Sequence, residues 1–274
     1  MARAPVISVC HGGGPMPLLN DPGHKDLIQS MTTKLPKVLG LGTDAAPKAI
    51  VLVTAHWSER VPTISSGKTP KLLYDYGGFP PESYQIKYDA PGSPEIAKLV
   101  ADTLRGAGFQ PELNEERGWD HGVFVPMKLI NPAANIPIIQ LAVLASMSAP
   151  SHFALGRALA PLRDQNIAIL GSGMPSFHNL RLMFSGEISK PAFLARNKEW
   201  SEKLTETMGI VGEEERGKAL ERWREWTGAW EAHPKGGEEH FMPLVVCAGA
   251  AGGGRVETIK DEVLGTEQVT YYWK

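Results

Sequence analysis

Two hydrophobic rhythms run along this chain. Uninterrupted apolar stretches rich in β-branched residues occupy positions 5–10 (PVISVC), 49–54 (AIVLVT), 136–144 (IPIIQLAVL) and 167–170 (IAIL), with a further aromatic run at 269–273 (VTYYW). Stretches of this length and composition predict strands buried in a sheet. Between them the apolar spacing changes to three and four. Residues 94–107 set Ile96, Leu99, Val100 and Leu104 on one face, and residues 151–163 do the same with Phe153, Leu155, Leu159 and Leu162. Both predict amphipathic helices, as do the more charged stretches 191–208 and 213–230. The apolar run over 241–251 predicts a buried helix.

Strands alternating with helices predict an α/β protein. The expected architecture is a single-domain three-layer α/β/α fold over residues 1–274, with a central mixed, largely parallel sheet. Gly- and Pro-rich segments at 77–81 and 90–94 lie between elements and read as loops. There are no internal repeats and no low-complexity tracts.

Composition narrows the function classes. Hydrophobic residues make up 42% and charged residues 21%, as in an ordinary soluble protein. The 28 basic and 30 acidic residues are interspersed, and a net charge of -2 supplies no basic face for nucleic acid, so a small molecule is the expected partner. The apolar run near the first residues is too short for a signal peptide and no later segment reaches spanning length, so no membrane association is expected. Cys10 and Cys247 lie far apart without CxxC spacing, which predicts neither a disulfide framework nor a cysteine metal site, and a cytoplasmic location.

In open α/β sheets ligands bind beyond the carboxyl ends of the strands. Three of those positions hold or lead to histidine. The run PVISVC is followed by His11 and then Gly12-Gly13-Gly14-Pro15, AIVLVT leads to Ala55-His56-Trp57, and IAIL leads through a glycine- and serine-rich stretch to His178. The triple glycine lacks both GxGxxG and GK[ST], so it is a poor phosphate loop. His121 sits between Asp120, an acid that can orient it, and Gly122, while His240 follows Glu238-Glu239. A lone histidine is more often a hydrogen-bonded structural residue than a ligand. That reading is kept for His24 in a polar loop, His152 at a helix start and His233 in the AHPKGG loop.

Five histidines in similar locations suit a metal centre with proton-transfer groups beside it. Imidazole binds Zn, Fe, Cu or Ni, and three neutral imidazoles leave positions open for substrate. Further histidines titrate near neutral pH and can act as acid and base. Spacing alone does not divide the five between these roles.

A resemblance does. HGGGP at 11–15, AHW at 55–57, YDYGGFP at 74–80, YDAPGSP at 88–94, GWDHG at 118–122, SFHNL at 176–180 and EEHFMPL at 238–244 occur in this order. Together they resemble the class III, LigB-type extradiol ring-cleaving dioxygenases, in the branch related to DOPA dioxygenases. The resemblance implies a single α/β domain that cleaves the ring of a catechol with O2, giving a muconic semialdehyde. It implies that His11, His56 and His240 bind the metal, that His178 is an acid/base beside it, and that His121 lines the same pocket. Fe(II) is the metal implied for activity, with Zn(II) an alternative occupant of an all-histidine site. Better-known members of the wider family complete the site with a glutamate, which makes Glu239 a substitute ligand. Tyr76 and Phe79, in the aromatic loop 74–88, are candidate pocket walls. Trp223, Trp226 and Trp230, spaced helically, read as core or interface, and the charged 213–224 stretch as a solvated face. A zinc-dependent hydrolase is the alternative use of the same site, although HExxH and GxSxG are absent. A non-catalytic binding protein is a third reading, against which the retention of all five histidines speaks.

Overall fold

A computed structural model describes residues 3–274. In chain order the elements are β1 (Val6–Cys10), α1 (Lys25–Thr33), α2 (Leu35–Val38), β2 (Ala49–Glu59), β3 (Thr63–Ser65), α3 (Pro94–Gly106), β4 (Glu112–Asn114) and α4 (His121–Ile130). They continue with β5 (Ile138–Leu144), α5 (Ala149–Leu159), β6 (Ile167–Gly173), α6 (Leu180–Met183), α7 (Pro191–Met208), α8 (Glu213–Glu221), α9 (Ala229–Ala232), α10 (Met242–Ala250), β7 (Glu257–Val263) and β8 (Thr266–Trp273).

The strands form one eight-stranded sheet in the order β4-β3-β5-β2-β6-β1-β8-β7. Its centre is parallel: β5 pairs β2, β2 pairs β6 and β6 pairs β1 in the same direction. β8 joins β1 antiparallel, and β7 closes that side as a hairpin with β8. The mixed, largely parallel sheet is therefore as expected. Its central strands are the uninterrupted apolar runs, since β1, β5 and β6 are buried at every position.

The two sheet faces are told apart by alternation along β6, because successive side chains point to opposite sides. A Cβ on Gly171 would meet Pro243 and Cys247 of α10, whereas Ser172 hydrogen-bonds the carbonyl of Gly122 in α4. Helices α4 and α10 thus cover opposite faces. Both read as helices buried all round. Every residue of α10 is buried, and only Lys128 and Leu129 of α4 are not. Ser93 and Ser148 cap α3 and α5, accepting from the backbone N–H groups of Ile96 and Ser151 at 3.2 and 3.3 Å.

Three expectations need correction. β2 extends beyond residue 54 to Glu59, with its register to β5 shifting between Thr54 and Ser58, so His56 sits in an irregular stretch of strand rather than after one. The 213–230 stretch is not one helix. The chain leaves α8 at Arg222, makes a 3-10 turn over Trp223–Glu225, and re-enters helix at α9 after Gly228, whose φ of 79° a helix interior cannot hold. Helical spacing therefore does not unite its tryptophans: Trp223 is buried, while Trp230 lies exposed under the Arg224 guanidinium. The 151–163 helix instead runs Ala149–Leu159 and tightens into a 3-10 stretch at Ala160–Gln165, where Pro161 interrupts the α-helical hydrogen bonding. Among the described residues, no helix is long and apolar enough to cross a membrane.

Candidate active site

Five side chains that are far apart in sequence meet over the carboxyl ends of the central strands. His11 leaves β1 with its N–H donated to the carbonyl of Gly173 at 2.9 Å. His56 comes from the irregular end of β2, and His121 is the first residue of α4. His240 lies two residues before α10 and is fastened beside β6, since Met174 N–H donates to its carbonyl at 3.2 Å. This approach needs glycine at 173, where a Cβ would lie 2.3 Å from the His240 carbonyl oxygen. His178 follows β6 in a loop whose backbone donates to Ala232 at 2.9 Å.

The rings of His11, His56 and His240 form a triangle with centroid separations of 4.9, 5.2 and 4.9 Å. Their Nε2 atoms point inward. His56 Nε2 lies 3.3 Å from that of His11 and 3.2 Å from that of His240. The outer nitrogens explain how three such groups can face one another. Ser172 gives its hydroxyl proton to Gly122 O, so it can only accept from His11 Nδ1, 3.0 Å away. His240 Nδ1 donates to Glu239 Oε1 at 2.9 Å. His56 Nδ1 faces the Asp75 carboxylate at 3.3 Å, a charge contact rather than an aligned hydrogen bond. With a proton on each outer nitrogen, the three inner nitrogens present bare lone pairs to one another. That arrangement is repulsive unless a cation lies between them. Metal–nitrogen bonds of about 2.0–2.1 Å in a tetrahedral arrangement would set such nitrogens about 3.3 Å apart. The residues therefore fit a divalent metal, each imidazole backed by an oxygen that holds its tautomer.

Electrostatics agree. Burial first, and then the charge of neighbouring histidines, holds His11 and His240 well below the ordinary imidazole range. His56 falls to about 3 through burial and the charge of His121, against the opposing pull of Asp75. All three are neutral at physiological pH, as metal ligands must be.

Two more imidazoles flank the triangle. His121 lies 3.8 Å from His56 between ring centroids, with its Nδ1 2.8 Å from Asp75 Oδ1. His178 stacks on His240 at 3.4 Å with 15° between planes. Burial, followed by the charge of His121, lowers His178 to about 4.

All five histidines singled out in the sequence are thus brought together. The acid that orients His121 is a correction. Asp120 turns away and is bound by Thr54 Oγ1, Arg117 and Gln140 at 2.8, 2.8 and 2.6 Å. Asp75 takes its place. Glu239 contacts the outer nitrogen of His240, so its observed place is behind that ring. Tyr76 and Phe79 stand at the site: the Tyr76 ring meets His121 edge-on at 5.8 Å, and the Phe79 ring packs over Gly14, 3.1 Å from where a Cβ would be. The remaining histidines are structural. His24 is fully buried, hydrogen-bonded to Asp21 and to the N–H of Gly13. His152 bonds Ser148 and Leu144, and His233 bonds the carbonyl of Pro175. Sequence reasoning missed Asp75 and Ser172. Asp75 lies inside the YDYGGFP motif, but nothing local marks its partners.

Comparison with known proteins places the chain among relatives. The family model described as the catalytic LigB subunit of aromatic ring-opening dioxygenase matches residues 8–272. The chain is 49% identical to the dioxygenase tasH of Hapsidospora irregularis, over 100% of this chain and 86% of that protein. It is 35% identical to the 4,5-DOPA dioxygenase extradiol of Beta vulgaris, over 89% and 85% of the two chains. It is 32% identical to the 4,5-DOPA dioxygenase extradiol of Escherichia coli K12, over 95% and 90%. Among solved structures, an uncharacterised protein of Escherichia coli K12 superposes with a TM-score of 0.75 at 29% identity, covering 99% of this chain and 100% of that one.

Proposed function

The chain belongs to the LigB family of aromatic ring-opening dioxygenases, and from that premise we propose that it opens the ring of a substituted catechol beside the diol, using Fe(II) held by His11, His56 and His240. The observation that carries the reading is the trio of inward Nε2 atoms, 3.2 and 3.3 Å apart, each ring backed by an oxygen. We read residues 1–274 as a single catalytic domain. Cys10 and Cys247, both buried free thiols, suit a reducing cytoplasm.

Fe(II) in this site would supply Lewis acidity toward the diol and the redox chemistry with dioxygen. The protein's own groups do the rest. His178, lowered to about 4 by burial and the charge of His121, is neutral at physiological pH, and its ring nitrogens make no hydrogen bond among the described residues, so it can take a hydroxyl proton from the diol. Its protonated form is a correspondingly strong acid that can return the proton as the ring opens. His121, its Nδ1 proton engaged by Asp75, presents Nε2 as a bare nitrogen that can accept a proton or hydrogen bond from the substrate. Tyr76 and Phe79 supply apolar aromatic surface suited to a flat ring, with the Tyr76 hydroxyl turned away to the carbonyl of Ser83 at 2.7 Å. The hydrolase alternative draws no support from relatives named as dioxygenases.

The test is anaerobic loading with Fe(II), addition of a catechol panel including DOPA, and admission of oxygen. Oxygen uptake matched by a yellow semialdehyde supports the reading. Failure of every catechol to consume oxygen, with ester or amide hydrolysis by zinc-loaded protein, overturns it.

A further inference from the structure

Asp75 contacts two of the site histidines, and it reaches them from the aromatic loop that also carries Tyr76 and Phe79. Its Oδ1 accepts both from the backbone N–H of His121, at 2.9 Å, and from the ring Nδ1 of His121, at 2.8 Å. Its Oδ2 lies 3.3 Å from Nδ1 of His56. The backbone contact has a structural meaning. Helix α4 begins at His121, and Asp120, in the N-cap position, makes no capping hydrogen bond because its carboxylate is spent on Thr54, Arg117 and Gln140. Asp75 caps the helix in its stead, from 46 residues away. The carboxylate is therefore fixed by the helix start, and whatever it faces is oriented by the fold itself.

Its effect on the two rings follows from charge. A carboxylate can only accept, so His121 must carry its proton on Nδ1, which leaves Nε2 as its bare nitrogen. At 3.3 Å from His56, the same negative charge favours the proton on Nδ1 over Nε2 of that ring as well. For His56 this choice decides everything, because its Nε2 is the atom that faces both His11 and His240.

We propose that Asp75 is a positioning residue that sets the tautomers of His56 and His121 together, holding the lone pair of His56 free for the metal and that of His121 free for the substrate. The consequence for metal and substrate rests on the metal-site reading above; the tautomer assignment does not. The pocket-walling loop and the metal ligand then share one anchor, so a catechol-facing wall and a competent His56 are assembled by the same contact.

The test is the D75N variant, read by long-range proton–nitrogen NMR on metal-free protein labelled in its histidines. In the parent protein, His56 and His121 should both show the Nδ1–H tautomer. Asparagine can still accept from His121 through its carbonyl oxygen but turns an amide N–H2 toward His56. His56 should therefore shift to the Nε2–H form while His121 does not, and metal affinity should fall about 10- to 100-fold. An Nε2–H tautomer for His56 in the parent protein, or an unchanged tautomer and affinity in D75N, would overturn the proposal. The parent spectrum decides even if the variant does not fold. H56A separates the two ideas: if it binds metal as tightly as the parent, the metal-site reading fails, while the tautomer result still stands or falls on the spectra.

Discussion

Ser172 Oγ sits 3.0 Å from His11 Nδ1 while giving its own proton to the carbonyl of Gly122. One hydroxyl on β6 thus joins the histidine after β1 to the first turn of α4. Replacing Ser172 with alanine removes the acceptor for His11 and the donor for Gly122 in a fully buried place. The expected result for S172A is a loss of about 1–3 kcal/mol of stability and a drop in metal affinity of about 10- to 100-fold. Denaturant unfolding and competitive metal titration measure the two. Unchanged affinity would show that the tautomer of His11 does not depend on this contact.

The flanking histidine should separate binding from chemistry. His178→Phe keeps an aromatic ring stacked on His240 but has no nitrogen to move a proton. Metal content should stay at the parent level, while kcat for catechol cleavage falls about 10²- to 10⁴-fold. Parallel loss of metal and activity would instead make His178 part of the metal site.

Single alanine replacements of His11, His56 and His240 should each abolish stoichiometric metal binding. Chelation of the parent protein should lower its Tm, because a ligand bound only by the folded state stabilises it. Reloading with Zn(II) should restore the Tm without restoring oxygen uptake, and Fe(II) should restore both. A Tm indifferent to chelator would count against a metal held by these three rings.

Stability should also fall in mild acid, and His152 gives a clean share of that loss. It is fully buried, donates through Nδ1 to Ser148 O at 2.8 Å and accepts the N–H of Leu144 at Nε2 at 2.9 Å, so burial lowers it to about 4. Below the unfolded value of about 6.5 the unfolded chain binds the extra proton and the folded one does not. The stabilisation is therefore complete above that value and drains away as pH falls toward the folded value. Between pH 7 and 5 this amounts to about 2 kcal/mol. H152Q, whose amide oxygen can accept the Leu144 N–H, should show a flatter decline by about that amount in urea unfolding at the two pH values. Equal slopes would mean that His152 is already charged in the fold.

Much of this protein's fold is legible in its sequence. The apolar runs of β1, β2, β5 and β6 needed only their own residues to declare themselves, because a parallel strand buried on both faces cannot carry charge. The edge strands were not legible. β4 is mostly exposed, and β7 alternates exposed and buried positions with Lys260 and Glu262 among the exposed ones. Their strand character comes from a neighbour to pair with rather than from composition. The break between α8 and α9 was hidden by tryptophans that kept a helical spacing across it.

For the site, sequence by itself determined the five histidines, two of them placed next to strands by local pattern and the full set by ordered motifs. The expectation that His24, His152 and His233 are hydrogen-bonded residues agrees with the protein partners each one finds. Only the tertiary structure decided how the five rings are placed and which groups hold them. His240 enters because Gly173 leaves room for its backbone beside β6, a contact between residues 67 positions apart. Asp75 rather than the adjacent Asp120 orients His121, because the nearer acid is consumed by Thr54, Arg117 and Gln140. A tautomer depends on which atom lies within hydrogen-bond reach of a ring nitrogen, and that distance is set by packing between elements, which no local run of residues encodes.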